Sequence, residues 1–246
     1  MADTDRDWEY WGKNDPYYGV LTFDRYRGDK IESHLDEFFA SGKQNIGKVL
    51  DRHERYFGPL KRGSALDFGC GVGRLTLALG QKFDKAVGLD ISSSMLTEAE
   101  KNKAARGAGN VDFRLSDDTL SRVPEQFDFV YSHIVLQHIN ADRGLGIIQQ
   151  LLAHVAPGGG CSLHMSVKRS MSLKRRLVYW VRFSVPGGGA VMKAITGRPG
   201  MQMSEYPITD VMQFFSSVGM DDLTVEVDDH EDVMTVAIGG RRPLNS

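Results

Sequence analysis

The sequence is poor in cysteine and contains no long apolar run. Its two cysteines, Cys70 and Cys161, form neither a CxxC motif nor a cysteine–histidine cluster. This usage argues against a disulfide framework and a structural zinc site, so we expect no metal site and a reducing, cytoplasmic location. No apolar stretch reaches the roughly 18 residues of a transmembrane helix, and the charged first residues do not resemble a secretion signal.

The charge balance argues against another group of functions. Lys and Arg number 30 and Asp and Glu number 32, which gives a net charge of −2. We therefore expect no global attraction to nucleic acid, and no nucleic-acid-binding motif is recognisable. Hydrophobic residues make up 41% of the 246 residues, which is sufficient for one sizeable domain.

Short apolar runs alternate with helical stretches from residue 64 onward. The runs are SALDF, KAVGLDI, VDFRLS, FDFVYS and GCSLHMSV. Such alternation predicts a parallel sheet with crossover helices. Two final strands, LTVEV and VMTVAIGG, are joined by a short turn and must pair antiparallel. We expect a single domain overall, with an aromatic and helical cap over 1–60, a main domain over 61–246 and an insertion over 167–204.

A glycine-rich turn, ALDFGCGVGRL at residues 65–75, follows the first predicted strand. Glycine permits positive φ and a close approach to the backbone, and ligands of open α/β sheets bind beyond the carboxyl ends of the strands. A phosphate-binding loop is excluded because no Gly-Lys-Ser/Thr follows. The dinucleotide-binding fingerprint GxGxxG is absent too. If it starts at Gly69 its last position is Arg74, and if it starts at Gly71 its last position is Thr76. Asp90, which closes the second strand, suits a ribose diol.

Together these motifs resemble the class I S-adenosylmethionine-dependent methyltransferases, in the branch that acts on small molecules. The motifs are LDFGCGVGRL, GLDIS, RLSDD, FDFVYSHIVLQHI and LLAHVAPGG, within residues 60 to 167. The resemblance implies a Rossmann-like, seven-stranded, mostly parallel sheet with an antiparallel last strand. It also implies helices on both faces, an N-terminal helical cap and a lid insertion before the last helix.

The resemblance further implies S-adenosylmethionine as cofactor, S-adenosylhomocysteine as product and a small-molecule acceptor methylated on oxygen or nitrogen. Sugars, lipid-linked compounds and secondary metabolites are the acceptor classes it suggests. Asp90 would hold the ribose diol, and Asp117, or less favourably Asp118, the adenine amino group. The residues assigned to the cofactor are Asp67, Gly69, Gly71, Gly73, Asp90, Ile91, Asp117, Asp118 and Ser132.

Two histidines after the fourth strand are candidates for a catalytic base. His138 and, second to it, His133 lie on the ligand side of the predicted sheet, and imidazole titrates near neutral pH. The alternative is that they cap or pack the following helix. Further candidates are His164, Glu205 and Tyr206.

Two segments outside the core are unusual. The first holds five aromatic residues, which could form a lid over a sulfonium or fill the core: Trp8, Tyr10, Trp11, Tyr17 and Tyr18. The second, 167–204, holds eight Lys or Arg residues and no acidic one. Since the whole chain is −2, the remainder carries −10.

Within the second segment an apolar stripe is predicted along one helix, formed by Leu173, Leu177, Trp180, Val181 and Ser184. A basic amphipathic helix of this kind is typical of a membrane-surface, anionic-substrate or partner contact. A lid whose stripe packs on the domain is the alternative. We expect a mobile lid that selects an anionic or lipid-linked acceptor, with peripheral membrane contact through 170–185 as a further possibility.

Two other functions stay open at this point. One is a non-catalytic protein that only binds the cofactor, and the other, disfavoured by the glycine spacing, is an NAD-dependent oxidoreductase.

Overall fold

A computed structural model describes residues 3–230 and 232–244 and contains a seven-stranded sheet. The strands are β1 (Ser64–Phe68), β2 (Lys85–Asp90), β3 (Val111–Leu115), β4 (Phe127–Ser132), β5 (Val155–Arg169), β6 (Leu223–His230) and β7 (Val233–Arg241). Their order is β3-β2-β1-β4-β5-β7-β6. The neighbouring pairs among β1 to β5 are parallel, whereas β7 runs antiparallel to both β5 and β6. The predicted Rossmann-like sheet with an antiparallel last strand is confirmed.

Helices cover both faces of this sheet. They are α1 (Asp3–Asn14), α2 (Pro16–Val20), α3 (Leu35–Phe57), α4 (Arg74–Gly80), α5 (Ser93–Ala105), α6 (Ala141–Ala153), α7 (Leu173–Ser184), α8 (Gly188–Thr196) and α9 (Ile208–Ser217). Short 3-10 turns occur at Asp24–Tyr26, Gly28–Ser33 and Leu136–His138. Within the described part of the chain, no helix combines the length and apolarity needed to cross a membrane.

The hydrophobic core is divided between the two faces because side chains alternate along each strand. Leu66 of β1 belongs to one cluster together with Leu151 of α6 and Phe215 of α9. Ala65, the preceding residue of β1, belongs to the other cluster with Phe38 of α3. The N-terminal helices are thus packed on the sheet and contribute to its core.

Helix α3 is longer and more regular than its apolar pattern suggests. It runs without interruption for 23 residues, although the sequence pattern was clean only around Phe38 and Phe39. Gly42 allows α3 to approach α4 closely, since a Cβ there would lie 2.6 Å from the backbone oxygen of Arg74. Tertiary packing therefore supports the helix where local periodicity is weak.

Strand β5 begins five residues earlier than the run GCSLHMSV predicted. The sequence suggested a turn over the glycines before it, yet Val155 already pairs with Phe127, and a register shift follows before Gly160 meets Phe129. Gly160 is required here because a Cβ would lie 2.2 Å from the His53 ring. These glycines serve a bulge and close packing instead of a free turn.

Candidate active site

A cleft opens beyond the carboxyl ends of β1, β2 and β4. It encloses about 950 Å³, including the space at its open mouth. Helix α1 lies over it and contributes Thr4, Asp5 and Trp8 to its wall. Of the residues predicted at the cofactor or as a base, those that line the cleft are Gly69, Gly71, Asp90, Ile91, Asp117, Asp118 and His133.

The glycine turn has the positive φ angles that its sequence predicts. Gly69 has φ +76°, Gly71 φ +53° and Gly73 φ +85°, a region that side chains with a Cβ rarely adopt. A Cβ on Gly69 would also come within 2.3 Å of Val135. Gly73 does not line the cleft; it precedes the first residue of α4. The glycines shape this edge of the cleft through backbone conformation and close packing.

Asp90 connects the loops that follow β1 and β2. Its Oδ2 accepts a hydrogen bond from the Gly71 N–H at 2.8 Å, and its Oδ1 accepts one from the Ser92 N–H at 2.9 Å. Burial raises the pKa of Asp90 to about 6, although these backbone hydrogen bonds oppose the rise. A carboxylate has about four acceptor positions, so lone pairs remain for a ligand in the cleft.

Asp67 and Ser132 lie behind the cleft wall. The buried Asp67 carboxylate accepts a hydrogen bond from Thr76 Oγ1 at 2.6 Å, which ties the end of β1 to α4. Ser132 Oγ donates to the Phe68 carbonyl at 3.1 Å. Both residues hold the strand ends in place, and neither lines the cleft.

Asp117 and Asp118 line the cleft, but both carboxylates already have partners. Asp117 Oδ1 accepts from the Thr119 N–H and hydroxyl and from the Ser121 N–H, and the Ser121 hydroxyl donates to Oδ2. These hydrogen bonds lower the pKa of Asp117. Asp118 accepts from Arg143 Nε at 2.8 Å on each oxygen. Asp117 therefore keeps little free acceptor capacity for an adenine amino group.

Arg74, directly after the glycine turn, is a buried cation in the cleft wall. It is 5% exposed, and its Nη1 donates to Ser41 Oγ at 3.2 Å. Its Nε has no hydrogen-bond partner, and the guanidinium lies 5.8 Å from the Phe38 ring centroid. Arg74 forms no ion pair among residues 3–230 and 232–244, although the Asp67 carboxylate acts on it through its charge at longer range. Burial lowers its pKa. A buried guanidinium without a carboxylate is costly, which points to an anionic ligand group.

His133 belongs to a buried aromatic and polar group beside the cleft. Its ring stacks on Tyr131 and lies 4.8 Å from the His164 ring, centroid to centroid. Asn45 Nδ2 donates to His133 Nε2 at 3.4 Å. Burial, followed by the charges of His164 and Arg74, lowers the pKa of His133 to about 3. The ring is neutral at physiological pH and is a weak base.

His138 does not line the cleft but packs against its wall. Its ring meets the Trp8 ring edge-on, with 5.1 Å between centroids. Nδ1 is 2.7 Å from the Gln202 carbonyl, which can only accept, so Nδ1 carries the proton of the neutral ring and Nε2 keeps a lone pair. Burial lowers the pKa of His138.

The other candidates for a base are engaged elsewhere. Glu205 pairs with Arg169 at 3.2 Å. The buried Tyr206 hydroxyl donates to the Leu136 carbonyl at 2.8 Å, and burial raises its pKa. His164 Nδ1 accepts the Ile134 N–H at 3.3 Å, and burial lowers its pKa to about 4.

Helix α1 is anchored at the N-terminus of α5 by Glu9. The Glu9 carboxylate accepts from the hydroxyls of Ser92 and Ser94, both at 2.7 Å, and from the Ser94 N–H. Burial favours a higher pKa for Glu9, but these hydrogen bonds outweigh it and lower the pKa to about 2. A carboxylate at this position also interacts favourably with the α5 helix dipole.

A second anchor joins α1 to the opposite wall of the cleft. Arg143 Nη1 donates to Asp5 Oδ1 at 2.6 Å, while its Nε binds Asp118. We call Asp5, Arg143 and Asp118 the Arg143 clasp. All three residues line the cleft, so the clasp spans it.

The aromatic N-terminal segment has two roles. Trp8 lines the cleft, as the lid interpretation expects. Trp11 and Tyr17 are buried in the core, as the alternative expects. Tyr10 OH donates to the Gly197 carbonyl at 3.0 Å, which joins α1 to the end of α8.

Sequence reasoning missed Arg74, Glu9 and Arg143. Arg74 carried a usable signal, since a cation in the first turn of a helix opposes the helix dipole and therefore suggests another purpose. Arg143 carried none, because its partners Asp5 and Asp118 are 138 and 25 residues away.

Comparison with known proteins agrees with this geometry. Residues 65–159 match a family model described as a methyltransferase domain. Phosphoethanolamine N-methyltransferase 3 of Arabidopsis thaliana is 27% identical over 163 residues, covering 64% of this chain and 30% of that protein. Trans-aconitate 2-methyltransferase of Deinococcus radiodurans is 31% identical over 114 residues. That match covers 46% of this chain and 41% of that protein. The chain spans less than half the length of these relatives.

Solved structures share the fold. Magnesium protoporphyrin IX methyltransferase of Synechocystis PCC 6803, with bound S-adenosylhomocysteine, has a TM-score of 0.58 and 21% identity. The match covers 93% of this chain and 97% of that one. At this identity the likeness shows a common fold.

Proposed function

We propose that the chain is a class I S-adenosylmethionine-dependent methyltransferase and transfers the methyl group of S-adenosylmethionine to an oxygen or nitrogen of a small-molecule acceptor. The observation that carries the proposal is the cleft itself. It brings the glycine turn, Asp90 and a buried, unpaired Arg74 together beyond the carboxyl ends of the strands. This set of groups suits a ligand with a diol and a carboxylate.

The residues present fit S-adenosylmethionine. Asp90 would accept from the ribose hydroxyls with the lone pairs that Gly71 and Ser92 leave free. Arg74 would pair with the carboxylate of the methionine part, which supplies the anion that this buried cation lacks. Asp118 and the backbone after β3 border the adenine end in this arrangement. When bound, the cofactor would supply a methyl group on a sulfonium. The acceptor's lone pair would bond to that carbon as the C–S bond breaks, and S-adenosylhomocysteine would leave as the neutral thioether.

The chain's own contribution is mainly positioning and exclusion of water. Helix α1 places Trp8 in the cleft wall, where an aromatic face favours a cation. The Glu9 anchor and the Arg143 clasp hold α1 in place. Fixing the acceptor against the methyl carbon is a large rate effect available to such a site.

We propose His138 as the base for an acceptor that must lose a proton. Its Nδ1–H is fixed by the Gln202 carbonyl, so Nε2 is the basic atom. A lowered pKa keeps the ring neutral at physiological pH. An acceptor bound beside Trp8, on the side of His138, would present its proton to Nε2. His133 is the second candidate, disfavoured by a pKa of about 3.

Residues 167–204 are proposed to border the acceptor site. The Gln202 carbonyl contacts His138, and Gly197 receives the hydrogen bond from Tyr10. The acceptor is proposed to be a sugar, a lipid-linked compound or a secondary metabolite. Support for a small acceptor comes from the relatives, which are named for phosphoethanolamine and trans-aconitate.

Turnover tests this proposal directly. The purified chain is incubated with S-adenosylmethionine and panels of the three acceptor classes, and S-adenosylhomocysteine is quantified. We expect acceptor-dependent product formation with at least one class. Gly71→Val serves as the matched inactive control, because φ +53° and a Val20 contact at 2.6 Å leave no room for a side chain.

Binding measurements separate the alternative functions. Tight binding of S-adenosylhomocysteine without turnover on any acceptor would favour a non-catalytic binding protein. Binding of NAD in preference to S-adenosylhomocysteine would overturn the assignment in favour of an oxidoreductase.

A further inference from the structure

Helices α7 and α8 form a surface with unusual charge. Residues 167–204 contain eight Lys or Arg residues and no Asp or Glu. Arg175 pairs with Asp232 of β6–β7, whereas Lys174 and Arg176 take part in no ion pair within residues 3–230 and 232–244. Arg169 pairs with Glu205, and Lys193 and Arg182 lie within electrostatic reach of Asp7. The positive charge without an ion-pair partner in the described chain is therefore concentrated at Lys174 and Arg176 of α7.

The apolar stripe of α7 faces solvent. Leu173 is 81% exposed, Leu177 61% and Trp180 55%, and these residues follow one another at helical spacing. The alternative of a stripe packed on the domain therefore does not hold for these three residues, although Val181 of the same stripe is half-buried. Exposed apolar stripes of this kind mark interaction surfaces.

The opposite side of α7 is the side that packs. Tyr179 OH donates to the Met203 carbonyl at 2.7 Å. Phe183 lies against Gly200, where a Cβ would be 2.7 Å from its ring. The helix is thus held by its polar and aromatic side, and its apolar stripe needs another partner.

Helix α8 adds to the same segment. Val191 is 57% exposed and Ile195, one turn later, 73%. Gly188 at the start of α8 lies so close to α7 that a Cβ would be 1.8 Å from the Val181 carbonyl oxygen. The two helices are packed together, and each exposes apolar side chains.

We propose that α7 and α8 dock on a membrane surface that carries anionic lipid headgroups. The stripe of Leu173, Leu177 and Trp180 enters the boundary between headgroups and acyl chains, while Lys174 and Arg176 beside it bind lipid phosphates. Charge decides against a second copy of this surface as the partner, because two such segments would repel each other. Docking is independent of the proposed methyl transfer.

The docking surface is connected to the cleft. Tyr10 of α1 hydrogen-bonds to Gly197, and the Lys193 ammonium lies 4.6 Å from the Tyr10 ring centroid. Helix α1 also carries Trp8 of the cleft wall. If the proposed function holds, this connection places the active site near the membrane and suits a lipid-linked acceptor.

Vesicle flotation without cofactor tests the docking alone. The full chain is mixed with vesicles of phosphatidylcholine, or of phosphatidylcholine with phosphatidylglycerol, at low and physiological salt. We expect binding only to vesicles with phosphatidylglycerol, weakened by salt. The variant Lys174→Gln with Arg176→Gln should lower the partition coefficient by about thirty-fold, given the usual contribution of a basic residue near an anionic surface.

Matched variants make the result specific. Lys43→Gln with Lys48→Gln removes the same charge from exposed positions of α3 and should bind like the parent. Leu173→Ser with Leu177→Ser should bind at least ten-fold more weakly with charge unchanged. The proposal is overturned if the parent does not float with phosphatidylglycerol vesicles. It is also overturned if Lys43→Gln with Lys48→Gln loses as much binding as Lys174→Gln with Arg176→Gln, or if sedimentation shows that α7 instead mediates self-association.

Discussion

Among single residues, the informative group is a buried cation that has no ion-pair partner in the described part of the chain. Arg74 is almost fully buried in the cleft wall, and its Nε has no partner. Its desolvation destabilises the protein without ligand, and pairing with a carboxylate would recover part of that free energy. A ligand-binding role and a purely structural role therefore predict opposite consequences of removing it.

Replacing this cation should separate stability from affinity. We expect Arg74→Met to leave the free energy of unfolding of the ligand-free protein unchanged or higher, because an unpaired buried charge is removed. Its affinity for S-adenosylhomocysteine should fall about ten- to a hundred-fold, measured by calorimetry. Methylthioadenosine, which lacks the carboxylate, is the control and should bind both proteins alike. An equal loss for both ligands would contradict the assignment.

His138 permits a second test at this scale. We expect His138→Gln to lower kcat by about a hundred-fold or more while the cofactor affinity is kept. The Gln amide can still donate to the Gln202 carbonyl, so packing is largely conserved. The acidic limb of the kcat profile, set by protonation of Nε2, should disappear in the variant.

Comparison with His133→Gln completes this test. If His138 only packs against Trp8, His138→Gln will melt earlier and turn over normally. If His133 is the base, its variant will show the loss of kcat instead.

At the scale of elements, α1 is the part of the cleft that the sheet does not provide. It is attached through Glu9 to the start of α5 and through the Arg143 clasp to the far wall. Both anchors depend on charged hydrogen bonds, so α1 should have lower local stability than the sheet beneath it.

Removing the Arg143 clasp should reveal the lower local stability of α1 compared with the sheet. We expect Arg143→Gln to speed hydrogen exchange of the α1 amides and to raise the dissociation rate of S-adenosylhomocysteine about five- to thirty-fold. Exchange in β1 and β4 should not change. Arg122→Gln, at an exposed position outside the Arg143 clasp, is the control. Faster exchange throughout the sheet would mean that the clasp supports the whole fold.

The helices, strands and turns of this chain could be predicted from its sequence more fully than the contacts between them. The alternation of strands and helices, the antiparallel last pair and the glycine turn were predictable, since apolar periodicity and positive φ leave clear traces in residue type. The direction in which α7 faces was not, because amphipathic spacing shows that a helix has two faces without showing which one is docked. The clasp was equally hidden, since it joins residues from three distant segments.

At the scale of the whole molecule, buried ionisable groups control how stability varies with pH. Burial raises the pKa of Asp67 to about 6, moderated by the Thr76 hydrogen bond. The folded state thus favours protonated Asp67. Its contribution to stability is present below its unfolded pKa of 3.8 and is lost as the pH rises through about 6. Burial lowers the pKa of His53 to about 4, so this histidine has the opposite effect: its contribution is lost as the pH falls.

A difference measurement isolates the Asp67 contribution. We expect the free energy of unfolding of Asp67→Asn, relative to the parent, to rise by about 2–3 kcal/mol between about pH 4 and about pH 7. Denaturant titrations of the ligand-free proteins would measure it. The exposed substitution Asp51→Asn should show no such trend. A constant difference across this range would mean that Asp67 ionises normally in the folded protein.

The distribution of charge along the chain also affects how the molecule approaches a surface. Residues 167–204 carry +8 and the remainder −10, which makes the protein an electric dipole despite its small net charge. In the field of an anionic surface a dipole experiences a torque, so α7 and α8 would turn toward the surface before any contact forms. Salt would shorten the range of this orientation and slow association. Dissociation, set by the apolar stripe, would be much less affected by salt.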